Sequence, residues 1–340
     1  PLLSGLWSDN MGEWQLTMLI KAPLFLLPLA FAGPVQLSKQ QWEWVAFVFI
    51  LLITGASVWC MFHYIQNAGE VNEAYLRAKT LVTPLANDHV RFSWLVSVAV
   101  LLGSCFCVSK YKENRKQFWI LLVITVWLII LLHILAARTG LISFYIILAG
   151  FLGWLIIKKA KTKYSIALLL LIVSLPVVAY QLLPSLKNRV KYFLYEFEYL
   201  KKTHYLPGAN DAVRIISLKA GWNIMHQQPA TGVGFGDVKA ETKKWYDANY
   251  PQMIEADKIY PSGEWAMYGA GCGWPGLFVF AITMFIPFLV KTKHPIVWWL
   301  LNSTAVFSLL FDPGLEVQFG VFIYAFVVLA FNKYLSEEKM

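Results

Sequence analysis

The residues in this 340-residue chain whose types and spacing could do chemistry are a few arginines and one run of glycines. Arg138 stands between two apolar runs, which puts it at a tight turn on one side of a bilayer. Two readings are open for it. It is either an interfacial arginine reaching for headgroups, or an anchor for a lipid-linked phosphate, which the forked guanidinium suits. Arg214 falls in the first turn of a helix expected to open at Asn210 or Asp211, both good N-caps. A cation there opposes the helix dipole, so it is not placed for helix stability. Free N–H groups beside a guanidinium make an anion site; the alternative is a surface arginine paired with Asp211. Arg189, between Lys187 and Lys191, reads as part of a basic interfacial belt.

Gly232, Gly234 and Gly236 lie in Gly-Val-Gly-Phe-Gly-Asp, which lacks both the G-x-G-x-x-G spacing and the βαβ setting of a dinucleotide site. What remains is a sharply turning backbone that can approach another segment closely. His63, His204 and His226 stand near no second histidine or carboxylate at ligand spacing and read as structural. There is no D-x-D pair, and Glu196 with Glu198 gives only a weak metal signal. Cys60, Cys105, Cys107 and Cys272 all fall in apolar runs without zinc-ligand spacing and read as small buried residues. No metal and no cofactor is expected.

These residues must be positioned by membrane helices. Hydrophobic residues make up 58% of the chain, charged ones only 14%, and the mean hydropathy is +0.55. Soluble chains carry about 25% charged residues, so this one cannot cover a water-facing surface. Nine stretches approach the ~20 apolar residues that cross a bilayer: about Leu16–Gly33, Trp42–Phe62, Phe92–Ser109, Phe118–Ala137, Gly140–Ile157, Ser165–Leu183, Ala266–Val290, Pro295–Phe311 and Val317–Phe331. None alternates with period two, which excludes a β-barrel. The fold class is an all-α polytopic membrane protein with about nine transmembrane helices.

Lysines and arginines assign the sides. One set of alternate connections, with the C-terminus, holds 13 of them, and the short connections of the other set hold 4. The C-terminus is therefore expected in the cytoplasm, and the long segment 184–265 outside. The chain then divides into an N-terminal bundle of about six spans (1–183), an extracytoplasmic loop (184–265) and a C-terminal part of about three spans (266–340). The net charge of +9 is explained by this topology, so no nucleic-acid partner is expected.

The long loop reads as helical. Val190, Phe193, Leu194 and Phe197 recur at helical spacing among Tyr192, Tyr195 and Tyr199, a pattern for a helix lying in the membrane interface with membrane lipids as partners. A second helix carries Ile215, Leu218, Trp222 and Met225 on one side and stops before Pro229. A third, more polar, covers about Val238–Ala248. Gly269 and Gly273 form a G-x-x-x-G that permits close helix packing. The chain opens on Pro1 and not on an initiator methionine, so an N-terminal part is expected upstream.

The order of these pieces resembles the O-antigen ligase/O-antigen polymerase family of bacterial envelope glycosyltransferases. It is carried by Arg138 in Ala-Arg-Thr-Gly, by Arg214, by Trp222, and by Gln228-Pro229-Ala230-Thr231-Gly232-Val233-Gly234-Phe235-Gly236. The Gly273-Trp274-Pro275-Gly276 turn and Lys21-Ala22-Pro23-Leu24 add to it. The likeness covers about residues 15–290. It implies a multi-pass inner-membrane enzyme whose donor is a glycan on undecaprenyl diphosphate. The acceptor would be lipid A–core for a ligase, or another lipid-linked unit for a polymerase. It also implies that Arg138 and Arg214 neutralise the diphosphate leaving group without a metal.

One feature departs from the family pattern. The histidine proposed as general base is replaced by Ser262, in Pro261-Ser262-Gly263-Glu264-Trp265. A serine hydroxyl has too high a pKa to serve unaided, although it could orient the acceptor. Glu264 is the nearest ionisable side chain and is the candidate base; alternatively it pairs with an arginine and only positions it. A transporter or flippase for lipid-linked solutes would need interrupted spans with mid-membrane charge in two related halves. Lys21 is the one basic residue well inside a span and no repeat is visible, which counts against that alternative.

Overall fold

The computed structural model describes residues 1–33, 37–84, 88–202 and 205–337, and within these the chain is α-helical with short 3-10 turns. The helices are α1 (Met11–Lys21), α2 (Pro23–Ala32), α3 (Lys39–Gln66), α4 (Ala68–Ala74), α5 (His89–Glu113), α6 (Arg115–Leu135) and α7 (Arg138–Ile157). They continue as α8 (Thr162–Leu182), α9 (Pro184–Lys202), α10 (Asp211–Gln227), α11 (Val238–Asn249), α12 (Glu264–Phe285), α13 (Pro295–Phe311) and α14 (Gln318–Glu337). Eight helical segments among the described residues are long and apolar enough to cross a membrane, and α13, at 17 residues, is a shorter ninth. The expected multi-pass all-α class is the one observed.

Polar residues in the connections start the spans. Ser38 and Gln41 form a reciprocal capping box on α3, at 3.3 and 2.8 Å. The side chains of Asp88 and Asn114 accept first-turn N–H groups of α5 and α6. The chain splits into two compact units, and α9 gives its first half to one and its second half to the other.

The first unit, Gln36–Tyr192 with Thr292–Thr304, is built on α5, the most buried of the spans. Small residues let α6 and α7 close on it. A Cβ on Gly140 would lie 2.5 Å from Ser93, so α7 meets α5 backbone to side chain. Ser93 Oγ accepts from Gly140 N at 3.1 Å, and Ser97 Oγ donates to Gly140 O at 2.8 Å.

The second unit gathers Pro1–Val35, Phe193–Lys291 and Ala305–Lys333. Here the span expected at Ala266–Val290 is not one straight helix. Gly273 takes φ 64 and ψ −163, which breaks α12 in two. The rings of Tyr268 and Phe280 stack at 4.4 Å, and those of Trp265 and Phe280 meet at 5.0 Å. Twelve residues of straight helix would separate Tyr268 from Phe280 by ~18 Å, so the second half returns alongside the first. The Gly-Trp-Pro-Gly segment is the bend of a helical hairpin.

Candidate active site

The glycine loop closes the break in α12. A broken helix leaves carbonyls unpaired at the end of its first half and N–H groups unpaired at the start of its second. Val233 N donates to Ala270 O at 2.9 Å, Gly234 N to Gly271 O at 3.0 Å, and Trp274 N to Pro229 O at 2.9 Å. Gly232 is needed where the backbones touch. Its φ is +64, and a Cβ there would lie 2.5 Å from Ala270 O and Cys272 N. Beyond it, Ser4 Oγ and Ser8 Oγ accept from Phe235 N and Gly236 N, each at 3.2 Å, and the Asp237 carboxylate accepts from Asp9 N and Asn10 N. Gly232, Gly234 and Gly236 thus lie in a loop whose backbone binds other segments of the protein.

Arg214 lies in the first turn of α10, where the sequence placed it, and is half-buried. Its Nη1 donates to Phe311 O, the last carbonyl of α13, at 3.0 Å, which orients the guanidinium. The first two N–H groups of α10 are taken by a side chain of the protein. Glu196, 1% exposed on α9, accepts from Asp211 N, and from Ala212 N at 2.8 Å. The carboxylate that gave a weak metal signal in the sequence is the cap of this helix, and it stands where a negative charge favours the dipole.

Ser262 is buried, and its hydroxyl lies 2.9 Å from that of Ser217 on α10. Ser262 N donates to Ser217 Oγ at 3.0 Å, while Ser217 Oγ donates to the carbonyl of Arg214 at 2.8 Å. The serine pair therefore ties the arginine turn to the entry of α12. Glu264, two residues on, is wholly buried. One of its oxygens accepts from Leu315 N; the other has no hydrogen-bond partner among the described residues.

Beside Glu264 lies a residue whose role the sequence did not reveal. Lys21, 1% exposed, donates to Glu316 Oε1 at 2.5 Å and to Leu315 O at 3.1 Å. It also stands 5.2 Å from the ring centres of both Phe235 and Tyr268. One lysine thus holds the last turn of the glycine loop, the α12 hairpin and the connection before α14. A lysine inside an apolar run demands a partner, which was the available signal; Glu316, 295 positions away, was not identifiable from it.

In the other unit, Arg138 opens α7, half-buried, just after Ala136 in the left-handed region (φ 48). Tyr75, fully buried, clamps this turn: its hydroxyl donates to Leu135 O at 2.8 Å and accepts from Leu81 N at 3.2 Å. Arg189 is only 9% exposed and interacts electrostatically with Tyr75, so it packs inside and does not stand in an exposed belt. His226 is exposed on α10, and His204 lies outside the described residues.

Among the described residues no three His, Cys, Asp or Glu side chains converge as a metal site. Residues 123–281 match the family model described as O-Antigen ligase, a stretch that contains Arg138, Arg214, the glycine loop and the α12 bend. The resemblance read from the sequence is borne out over those residues. No curated protein matches the chain.

Proposed function

We propose, for a chain carrying an O-antigen ligase family match over residues 123–281, that it transfers a glycan from undecaprenyl diphosphate to lipid A–core at the outer face of the bacterial inner membrane. An acceptor hydroxyl oxygen attacks the anomeric carbon, the bond from that carbon to the diphosphate breaks, and the electron pair leaves on the diphosphate oxygen. The hydroxyl proton passes to a base or to the departing diphosphate. Arg138 and Arg214 are each assigned to phosphate oxygens, and the same two observations support each: both are half-buried and both lie in the first turn of a helix. A guanidinium needs no deprotonation and can meet two oxygens at once. The observation that carries this reading is the family match over residues 123–281, which contains both Arg138 and Arg214.

We assign Ser262 and Glu264 to positioning. Both are buried, and both hold backbone N–H groups or hydroxyls of the protein. The test is the envelope glycan pattern of a strain lacking this chain. Loss of capped lipopolysaccharide with lipid-linked polymer retained supports a ligase; single repeat units on the acceptor identify a polymerase instead. Complementation by Arg214→Ala at normal expression would overturn the diphosphate role; Arg214→Lys is expected to fail nearly as badly, because it keeps the charge and loses the fork.

A further inference from the structure

Three aromatic rings converge on the surface of the second unit, about two helical turns along α10 from Arg214. Trp222 is 56% exposed and Trp274 44%, although large aromatics are normally among the best-buried residues. Their ring centres lie 5.8 Å apart, and the exposed imidazole of His226 sits 4.5 Å from the first and 5.8 Å from the second. The positions are fixed from two directions. Trp222 and His226 stand one turn apart on α10, and Trp274 is set by its own backbone bond to Pro229 O at the bend of α12. Loose interfacial side chains would not need this arrangement.

The rim indicates what the rings hold. Asn223, Gln227 and Gln228 are exposed beside them, with Gln227 Nε2 donating to Asn223 Oδ1 at 2.9 Å. His226 Nδ1 faces the carbonyl of Trp222 at 2.9 Å. A carbonyl only accepts, so in the neutral imidazole Nδ1 carries the hydrogen and Nε2 is an acceptor. Flat apolar rings edged by uncharged amides and an imidazole suit a ligand with apolar C–H faces and many hydroxyls. Lys219, exposed three residues before Trp222 on α10, adds a donor for those hydroxyls.

We propose that Trp222, His226 and Trp274 form a platform that stacks a sugar ring of the transferred glycan. This rests on the glycan-transfer reading above and adds a subsite to it. Trp222 lies eight residues beyond Arg214, ~12 Å along the helix and roughly 80° around it. With the diphosphate at Arg214, the platform meets a sugar a few residues from the reducing end. It therefore sets which glycans, and what minimum length, the protein accepts.

The experiment uses the purified full chain in nanodiscs and, as probe, the glycan released by mild acid from the host's own polyprenyl-diphosphate pool. Saturation-transfer NMR reads its binding without requiring transfer. Trp222→Ala/Trp274→Ala weakens binding about tenfold, the scale of one or two stacked rings, while Trp222→Phe retains it. Both rings are exposed, so the variants keep the wild-type thermal midpoint. Unchanged binding in the double alanine variant overturns the platform. So does quenching of these two indoles by brominated phospholipid, read as the difference between wild type and Trp222→Phe/Trp274→Phe, because a bilayer would then cover them. Failure of the transfer reading is distinct: wild-type protein would bind the glycan through these rings and transfer nothing.

Discussion

Replacing Lys21 by methionine keeps most of the side-chain volume and removes the cation that joins three segments of the second unit. The ammonium is 1% exposed, its partner Glu316 is 10% exposed, and Glu264 beside them is wholly buried. Breaking a buried ion pair from one side costs about 3–5 kcal/mol, because the remaining charge stays desolvated. Two ring contacts at 5.2 Å add to this, each worth about 0.5–2 kcal/mol, although such terms do not sum independently. About 4 kcal/mol is the working figure, and for a chain of this size it lowers the thermal midpoint by roughly 8 °C. The assay is the midpoint of the detergent-purified chain, followed by loss of its monodisperse size-exclusion peak. The informative comparison is Lys21→Met against Lys21→Met/Glu316→Gln. If the cost is an orphaned carboxylate, the second substitution recovers more than half of the loss. A wild-type midpoint for Lys21→Met would refute the reasoning, and so would a double variant less stable than the single one.

Glu264→Gln is expected to retain transfer within a few-fold, because the residue positions the Leu315 backbone; a loss of a hundredfold or more at normal expression would restore it as the base. Gly232→Ala is expected to abolish folding of the loop, since a left-handed alanine costs about 1–2 kcal/mol and the added methyl meets Ala270 O and Cys272 N; limited proteolysis of the purified variant checks this, and a wild-type digestion pattern would count against the close approach. Around α11, hydrogen bonds from Lys258 to Asp247 and from Lys243 and Lys258 to Glu255 hold both carboxyls below their ordinary range. Their folded pKa values lie below the unfolded ones, so their contribution is complete at neutral pH and is lost as the pH falls through the acid range. These groups are exposed and the effect is small, so Lys258→Met should flatten the acid limb of the stability profile only slightly and only at low salt, and an unchanged limb would refute the assignment.

The sequence by itself determined the fold class and the place of most helices, because both follow from local chemistry. A run of apolar residues long enough to cross a bilayer has few alternatives to a helix, whichever neighbours it later meets. The caps Ser38, Asp88 and Asn114 act within three residues of themselves; the helix bearing Arg214 opens at the expected Asp211, but Asn210 makes no side-chain cap bond there. The glycines of 232–236 were legible as a backbone built for close approach; what they approach was not. That required the break at Gly273, which leaves carbonyls for the loop to satisfy and turns an apparently continuous span into a hairpin. Only the tertiary structure decided that Glu196 caps α10, that Arg189 is buried, and that Lys21 meets Glu316 across 295 positions. Composition and spacing specify what a residue needs, a counter-charge for Lys21 or donors for a carboxylate. Which distant residue supplies it depends on the path of the backbone between them, and a pattern with a period of a few residues carries no information about that path.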